Sequence, residues 1–117
     1  MAIERKHVGP RMSRAAIVGN IVYTAGITAE KHEGASVAEQ TADILAQIDA
    51  LLAESGTSKE NVYKASIWLS DIATFNEMNS VWDKWVVPGA TPVRATVEAK
   101  LAVPSITVEI QVEAAKA

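Results

Sequence analysis

Arg94 and Glu109 are the two side chains whose types best suit chemistry on a small organic acid. A planar guanidinium donates two parallel hydrogen bonds to a carboxylate, so Arg94 suits acid binding, and it suits an ion pair between subunits equally well. A carboxylate such as Glu109 accepts a proton from water and returns one to a leaving group, although a single strand glutamate is more often only solvated. Their separation of 15 residues in sequence does not establish that they meet.

Other reactive residue types lack partners in the sequence. His7 and His32 lie 25 residues apart, without the paired spacing of a metal site, which predicts surface or packing roles and no bound metal. Ser13 has no evident histidine and acid partners for a nucleophilic triad. The chain has no cysteine, which excludes disulfide scaffolds, zinc ribbons and cysteine nucleophiles. The sequence also has no glycine loop of the phosphate-binding type.

The charge pattern argues against nucleic acid as a partner. The chain carries 11 basic and 14 acidic residues, a formal charge of −3, and Arg is not interleaved with aromatic residues as a stacking surface requires. The basic N-terminal residues are therefore interpreted as a solvated or site-lining patch: Arg5, Lys6, Arg11 and Arg14. No stretch is typical of a signal peptide or a membrane span, so we expect a cytoplasmic protein without a membrane partner.

The first half of the chain predicts a hairpin and a helix that support this chemistry. Two β-branched runs, residues 14–18 and 21–25, flank Gly19 and Asn20, which tolerate the positive φ of a tight turn. Ser36 and Glu39 form a capping box that opens a helix over residues 36–55, with Gly56 as its stop. Its apolar face has helical spacing and comprises Val37, Thr41, Ile44, Leu45, Ile48, Leu51 and Leu52.

The second half predicts three strands and one helix. Residues 62–69 indicate a strand, and Thr74 with Glu77 forms a second capping box that opens a helix ending at Pro88 and Gly89. One side of this helix carries Phe75, Met78, Trp82 and Trp85, and the two tryptophans are interpreted as core residues. Residues 93–101 and 106–112 alternate apolar and polar side chains, which indicates strands with one buried face.

These elements predict a single α+β domain over residues 1–117, in the order ββαβαββ, with two helices on one face of the sheet. If the helices cover the apolar face, then Arg94, Thr96, Glu109 and Gln111 share the opposite face. A lone domain leaves that face to water, so we expect it to pack against other subunits. The polar side chains then line clefts between chains.

Several motifs resemble one known family along nearly the whole chain. They are Pro-Val-Arg-Ala-Thr-Val at residues 92–97, then Lys100, Val-Glu-Ile at 108–110, Val-Gly-Asn-Ile-Val-Tyr-Thr-Ala-Gly at 18–26, and the stretch around Phe75, Asn79 and Trp82. Their order and spacing resemble those of the Rid family (reactive intermediate deaminases), also described as L-PSP endoribonucleases or translation inhibitors.

The resemblance implies a chorismate-mutase-like fold, a mixed sheet and a homotrimer with three clefts at the subunit interfaces. Family members with deaminase activity hydrolyse enamines and imines such as 2-aminoacrylate to 2-keto acids and ammonia, without cofactor or metal. The resemblance therefore predicts a hydrolase similar to 2-iminobutanoate/2-iminopropanoate deaminase, with a small imino or keto acid as its ligand. Arg94 matches the family's substrate-binding arginine, and Glu109 matches the glutamate that handles water.

The predicted pocket departs from the family pattern at four positions. Thr96 stands where many active members have cysteine, and Met12 where a site tyrosine is common. Ala25 replaces a serine and Ile27 a frequent glutamine, whereas Gly26 is retained, and its backbone is predicted to contact a bound acid. These changes preserve carboxylate binding and make the pocket less polar, with Arg94, Gly26, Thr96 and Met12 as substrate-binding residues.

Three functions follow from the sequence. The first is the enamine and imine deaminase, and the second is a non-catalytic sensor or regulator that binds a small carboxylate through Arg94 alone. Retention of Glu109 favours the deaminase over the sensor. The third is an endoribonuclease or translation inhibitor, which the lack of a histidine pair and of a basic face disfavours.

Overall fold

A mixed seven-stranded sheet with two helices on one face forms the fold, as a computed structural model of the chain describes it for residues 2–116. The strands are β1 (Ile3–Val8), β2 (Ser13–Val18), β3 (Ile21–Thr24), β4 (Ile27–Thr28), β5 (Val62–Leu69), β6 (Val93–Glu98) and β7 (Val108–Ala115), and the helices are α1 (Val37–Glu54) and α2 (Phe75–Trp85). The α+β class and the placement of both helices on one sheet face are confirmed. No helix within residues 2–116 is long and apolar enough to cross a membrane.

The sheet order is β1-β2-β3-β7-β5-β6, with β4 also paired to β7. The β5–β6 pair is parallel and the other pairs are antiparallel. The predicted order ββαβαββ is incomplete because it omits β1 and β4. Strand β1 is mostly exposed and carries four consecutive polar residues, and β4 has only two residues, so neither produces an alternating hydrophobic pattern.

Helix α1 begins as its sequence predicts. The Ser36 Oγ accepts a hydrogen bond from the Glu39 amide at 3.0 Å, and the Glu39 carboxylate accepts one from the Ser36 amide at 2.9 Å. Gly56, with φ of +83°, follows the end of the helix in the left-handed conformation that favours glycine. The buried positions match the predicted apolar face and add Gln40.

Helix α2 begins differently from the prediction. The Thr74 hydroxyl donates to the Asp71 carbonyl, and the Glu77 carboxylate accepts from the Ala38 amide at the start of α1, so the second capping box is wrong. A 3₁₀ turn (Ile72–Thr74) precedes the helix and leaves Thr74 outside the extended conformation of an N-cap. The helix ends at Trp85, before Pro88 and Gly89.

The two tryptophans of α2 confirm their predicted core role. Trp82 and Trp85 are 5% and 8% exposed, and their ring centroids lie 5.3 Å apart.

The two C-terminal strands differ in which set of alternating residues they turn toward the helices: the apolar set in β7 and the polar set in β6. In β7, Val108, Ile110 and Val112 face the helices, whereas Glu109 and Gln111 face away. In β6, the parallel register aligns Arg94 with Ala65 and Thr96 with Ile67 of β5. Ala65 and Ile67 are buried in the core, so Arg94 and Thr96 also lie on the sheet face that carries the helices. The prediction that Arg94 and Thr96 share a face with Glu109 and Gln111 is therefore wrong.

The physical reason is that an alternating apolar and polar pattern assigns residues to the two faces of a strand but does not show which face the helices cover. Strand β6 is an edge strand beside β5, and its apolar residues Val93 and Val97 are 69% and 49% exposed on the side away from the helices. Strand β6 also ends at Glu98 rather than at residue 101, and β7 starts two residues later than predicted and continues to Ala115. We call the sheet side away from the helices the open face; it includes Tyr23, Trp68, Val93, Val97, Glu109 and Gln111.

Candidate functional site

Arg94 lies in a cluster formed by the edge strand β6 and helix α2. Its Nη1 donates to the Asn79 Oδ1 at 2.7 Å. The guanidinium carbon lies 5.5 Å from the centroid of the Phe75 ring and 5.4 Å from that of Trp82, within the range of cation–π attraction. We call Arg94, Asn79, Phe75, Trp82 and Thr96 the arginine cluster.

The charge of Arg94 is not neutralised by a carboxylate. Among residues 2–116 Arg94 forms no ion pair, and the amide oxygen of Asn79 that accepts from it is neutral. A guanidinium has five N–H donors, so further donors remain for an anionic ligand after the Asn79 bond. This arrangement suits the predicted carboxylate-binding role.

Thr96 lies on the same side of β6 as Arg94, and its predicted contact with substrate stays a prediction. The Thr96 Oγ1 is buried and has no hydrogen-bond partner within the described chain. Leaving a hydroxyl without a partner costs about 1–3 kcal/mol.

Glu109 lies on the open face, directly over Gly26. A Cβ placed on Gly26 meets the Glu109 Oε2 at 2.0 Å and its Cδ at 3.0 Å, so any other residue displaces the carboxylate. The β4–β7 pairing, with Ile27 opposite Ile110 and Thr28 opposite Glu109, holds the two strands in this register. Gly26 thus has a specific role, which is to leave room for the Glu109 carboxylate.

Next to Gly26 is a cavity of about 510 Å³ between the β1–β2 turn, strand β4 and helix α1. Met12 and Arg14 line it together with Gly26, and Met12 is 53% exposed. The Arg14 Nη2 donates to the Gln47 Oε1 at 2.6 Å, so of the two interpretations of the basic N-terminal residues, solvated or site-lining, Arg14 fits the second. We call Glu109, Gly26, Met12, Arg14 and Gln47 the glutamate cluster.

Gln47 is held in a chain of hydrogen bonds that sequence reasoning missed. Its Nε2 donates to the Thr28 carbonyl at 2.9 Å and to the Asp43 Oδ1 at 2.7 Å. Partial burial raises the pKa of Asp43, but hydrogen bonds from Gln47 and from the amides of Lys31 and Glu30 outweigh that effect and lower the pKa below its ordinary 3.8. A polar residue one position before the buried Ile48 of α1 is a weak signal for this arrangement.

The arginine and glutamate clusters do not meet within one chain. Val97, Trp68 and Glu109 form one row across β6, β5 and β7, and Arg94 lies three residues before Val97. Two strand spacings and three residues place the Arg94 and Glu109 backbones about 14 Å apart. Their side chains also leave opposite faces of the sheet, so a three- or four-carbon acid cannot touch both in a single chain.

The two histidines are separated as well. The His7 Nε2 lies 2.6 Å from Glu54 at the last turn of α1, and the His32 Nδ1 lies 2.7 Å from the Ser105 Oγ. The His32 carbonyl accepts from Gln40 near the start of α1, so about 20 Å of helix lies between the two sites. Within residues 2–116, no three His, Asp or Glu side chains are grouped so as to hold a metal ion.

Comparison with known proteins identifies relatives over the whole chain. The sequence model of the family described as Endoribonuclease L-PSP matches residues 6–116. The RutC family protein YoaB of Escherichia coli is 43% identical over 115 residues, which cover 98% of this chain and 99% of YoaB.

Solved structures show the same likeness. NMB1025 of Neisseria meningitidis, a member of the YjgF protein family, superposes with a TM-score of 0.96 at 46% identity, covering 100% of this chain and 97% of that one. YyfA of Yersinia pestis, of the conserved Rid protein family, superposes with a TM-score of 0.80 at 27% identity, covering 92% and 89% of the two chains.

Proposed function

The chain belongs to the Rid family, also called the RutC or YjgF family, and from this premise we propose that it is an enamine and imine deaminase. It hydrolyses 2-aminoacrylate-type and 2-imino acids to 2-keto acids and ammonia. The observation that carries the proposal is the part-buried guanidinium of Arg94, held by a neutral amide and two aromatic rings and without an anionic partner in the described chain. Such a group is suited to a small carboxylate.

The proposal requires that a second copy of the chain bring the two clusters together. Arg94 lies at the β6 edge of the sheet, whereas Glu109 lies on the open face. On the open face, Val93, Val97 and Tyr23 are 69%, 49% and 39% exposed, and apolar side chains exposed on one sheet face suit an interface between subunits. A homotrimer that packs these faces together forms three clefts, each with Arg94 from one subunit and Glu109 from its neighbour.

In such a cleft two residues, Arg94 and Glu109, carry out the hydrolysis. Arg94 binds the substrate carboxylate and so fixes the position of the adjacent C=N carbon. Glu109 accepts a proton from a water molecule while the water oxygen bonds to that carbon and the C=N electron pair moves to nitrogen. Glu109 then returns the proton to nitrogen, which gives the carbinolamine. Glu109 next takes the hydroxyl proton and passes it to the amine nitrogen as the C–N bond breaks, so that ammonia leaves and the carbonyl forms. An enamine first takes a proton on carbon and gives one up from nitrogen to become the imine.

A second candidate function is a non-catalytic sensor that binds a small carboxylate through Arg94. Met12, Ala25 and Thr96 favour it, because they stand where more polar or reactive residues are common in the family. The endoribonuclease of the family's description is disfavoured, because the two histidines lie at opposite ends of α1 and neither can assist the other.

The test is complementation between two inactive variants. Arg94→Ala removes the carboxylate ligand and Glu109→Gln removes the proton acceptor, and we expect each to fall close to the protein-free rate of ammonia release. Trimers formed at random from equal amounts of both contain clefts with an intact Arg94 on one side and an intact Glu109 on the other. About a quarter of all clefts are of this kind, so about a quarter of the wild-type rate returns.

Each outcome has a definite meaning. The substrate is an imine generated in situ by an amino-acid oxidase, and the control is each variant mixed with itself. If mixed trimers form but no rate returns, the two residues do not share a cleft between subunits. If the wild-type rate equals the protein-free rate while 2-keto acids bind through Arg94, the protein is a sensor.

A further inference from the structure

We infer that Arg14 binds a second carboxylate of the substrate, so that the preferred substrates are 2-imino dicarboxylates derived from acidic amino acids. The inference rests on the proposed function, because it places Arg14 in the same cleft as Glu109. It differs from that function in naming the class of substrate and a residue that selects it. Hydrolysis of such an imine gives a 2-keto dicarboxylate and ammonia.

The first argument is that Arg14 resembles Arg94 in its bonding. Each guanidinium is part-buried and donates to a neutral side-chain amide, at 2.6 Å to the Gln47 Oε1 and at 2.7 Å to the Asn79 Oδ1. Arg14 forms no ion pair with any residue from 2 to 116. Partial burial of a guanidinium without a carboxylate costs free energy unless an anion joins it.

The second argument is that Gln47 is fixed so that only its oxygen faces Arg14. Both N–H groups of its amide are used, one on the Thr28 carbonyl and one on Asp43. Gln47 therefore orients the guanidinium without neutralising it. A carboxylate at position 47 would pair with Arg14 and remove the site, and the amide present here leaves donors of Arg14 available.

The third argument is the location of Arg14. It lines the cavity of about 510 Å³ that also contains Gly26 and Met12, a volume within the range of about 300–1,000 Å³ typical of small-molecule sites. The Glu109 carboxylate lies over Gly26. Glu30 also lines the cavity, but it is exposed and does not pair with Arg14. Arg14 and Glu109 thus both adjoin Gly26, Arg14 as part of the cavity lining and Glu109 from the open face.

The chemistry of imines selects the kind of anion. A 2-imino acid arises from an amino acid, and the second anionic group of an unmodified amino acid is a carboxylate. Arg94 then takes the carboxylate next to the reacting carbon and Arg14 takes the distal one. Two cations select a dicarboxylate over a monocarboxylate by charge.

The test compares two keto acids that differ in the distal group. Calorimetry measures binding of 2-oxoglutarate and of 2-oxopentanoate to the wild type, to Arg14→Gln and to the control Arg11→Gln. Arg11 is exposed and outside the cavity, so the control makes the same charge change nearby. We expect the wild type to bind 2-oxoglutarate about 10- to 100-fold more tightly, and Arg14→Gln to lose this preference.

The outcomes separate this inference from the proposed function. Equal affinity of the wild type for both acids overturns the inference, as does an equal loss of both in Arg14→Gln, which indicates a structural arginine. If the inference fails in one of these ways but the wild type binds 2-oxopentanoate and Arg94→Ala does not, the proposed carboxylate site at Arg94 stands. If Arg14→Gln does not fold, Arg14→Lys is used, and it should reduce the preference for 2-oxoglutarate; an unchanged preference overturns the inference.

Discussion

Gly26→Ala is the substitution whose effect can be worked out most directly from the structure. The added methyl group lies 2.0 Å from the Glu109 Oε2, whereas atoms in contact stay about 3.5 Å apart. The carboxylate must therefore move by about 1.5 Å. Glu109 is half-buried and its end can rotate, so the side chain moves in preference to the sheet.

The expected result is a loss of activity without a loss of stability. Gly26 does not have the positive φ that strains other residues, so alanine fits its backbone and should change the free energy of unfolding by less than about 1 kcal/mol. Misplacement of a reacting group by 1 Å costs about 100-fold in rate. We expect Gly26→Ala to lower imine hydrolysis by about that factor while leaving 2-keto acid binding by Arg94 unchanged.

Ammonia release is measured for the wild type and Gly26→Ala, with circular dichroism as the control for folding and Glu109→Ala as the reference for loss of the carboxylate. We expect Gly26→Ala to lie between the wild type and Glu109→Ala. A wild-type rate in Gly26→Ala would refute the reasoning.

Three further predictions concern binding, assembly and pH. Arg94→Lys should restore only part of the 2-keto acid affinity that Arg94→Ala loses, because an ammonium lacks the guanidinium fork; equal calorimetric affinity of Arg94→Lys and the wild type would contradict it. Val97→Lys should give a monomer by light scattering and an inactive protein, whereas Ile72→Lys, similarly exposed at 45% but outside the open face, should remain assembled. Asp43→Asn should lower the free energy of unfolding at pH 7, because a depressed pKa stabilises the folded state above the unfolded value. In denaturant titrations this difference should shrink as the pH falls below about 3.8, through the folded pKa, and a constant difference would contradict the assignment.

Local sequence patterns were sufficient to predict structure where the residues involved belong to one helix or strand. The capping box of Ser36 and Glu39 uses atoms three residues apart, so the start of α1 follows from sequence. The second box failed although its residues have the same spacing, because Glu77 binds the Ala38 amide of the other helix. A residue pair predicts a cap only when no distant partner competes for the same carboxylate.

Most residues of the candidate site were also named from sequence, but Gln47 was missed and the predicted grouping of Arg94 with Glu109 on one sheet face was wrong. The types of Arg94 and Glu109 indicated carboxylate binding and proton transfer, and the motifs around them identified the family. The role of Gly26 in making room for Glu109, and the bonds from Gln47 to Arg14 and Asp43, depend on strands and a helix that are distant in sequence.

The sequence by itself therefore determined the family, the α+β class, both helices and most of the strands, because propensity, spacing and side-chain type are local properties. Only the tertiary structure decided that Arg94 and Glu109 leave opposite faces of the sheet. A strand shows the same alternation of apolar and polar residues whichever of its two faces is turned toward the core. The face that is buried depends on the neighbouring strand that pairs with it. Here the parallel pairing of β6 with β5, with β7 on the other side of β5, turns Arg94 toward α2 and leaves Val93 and Val97 exposed.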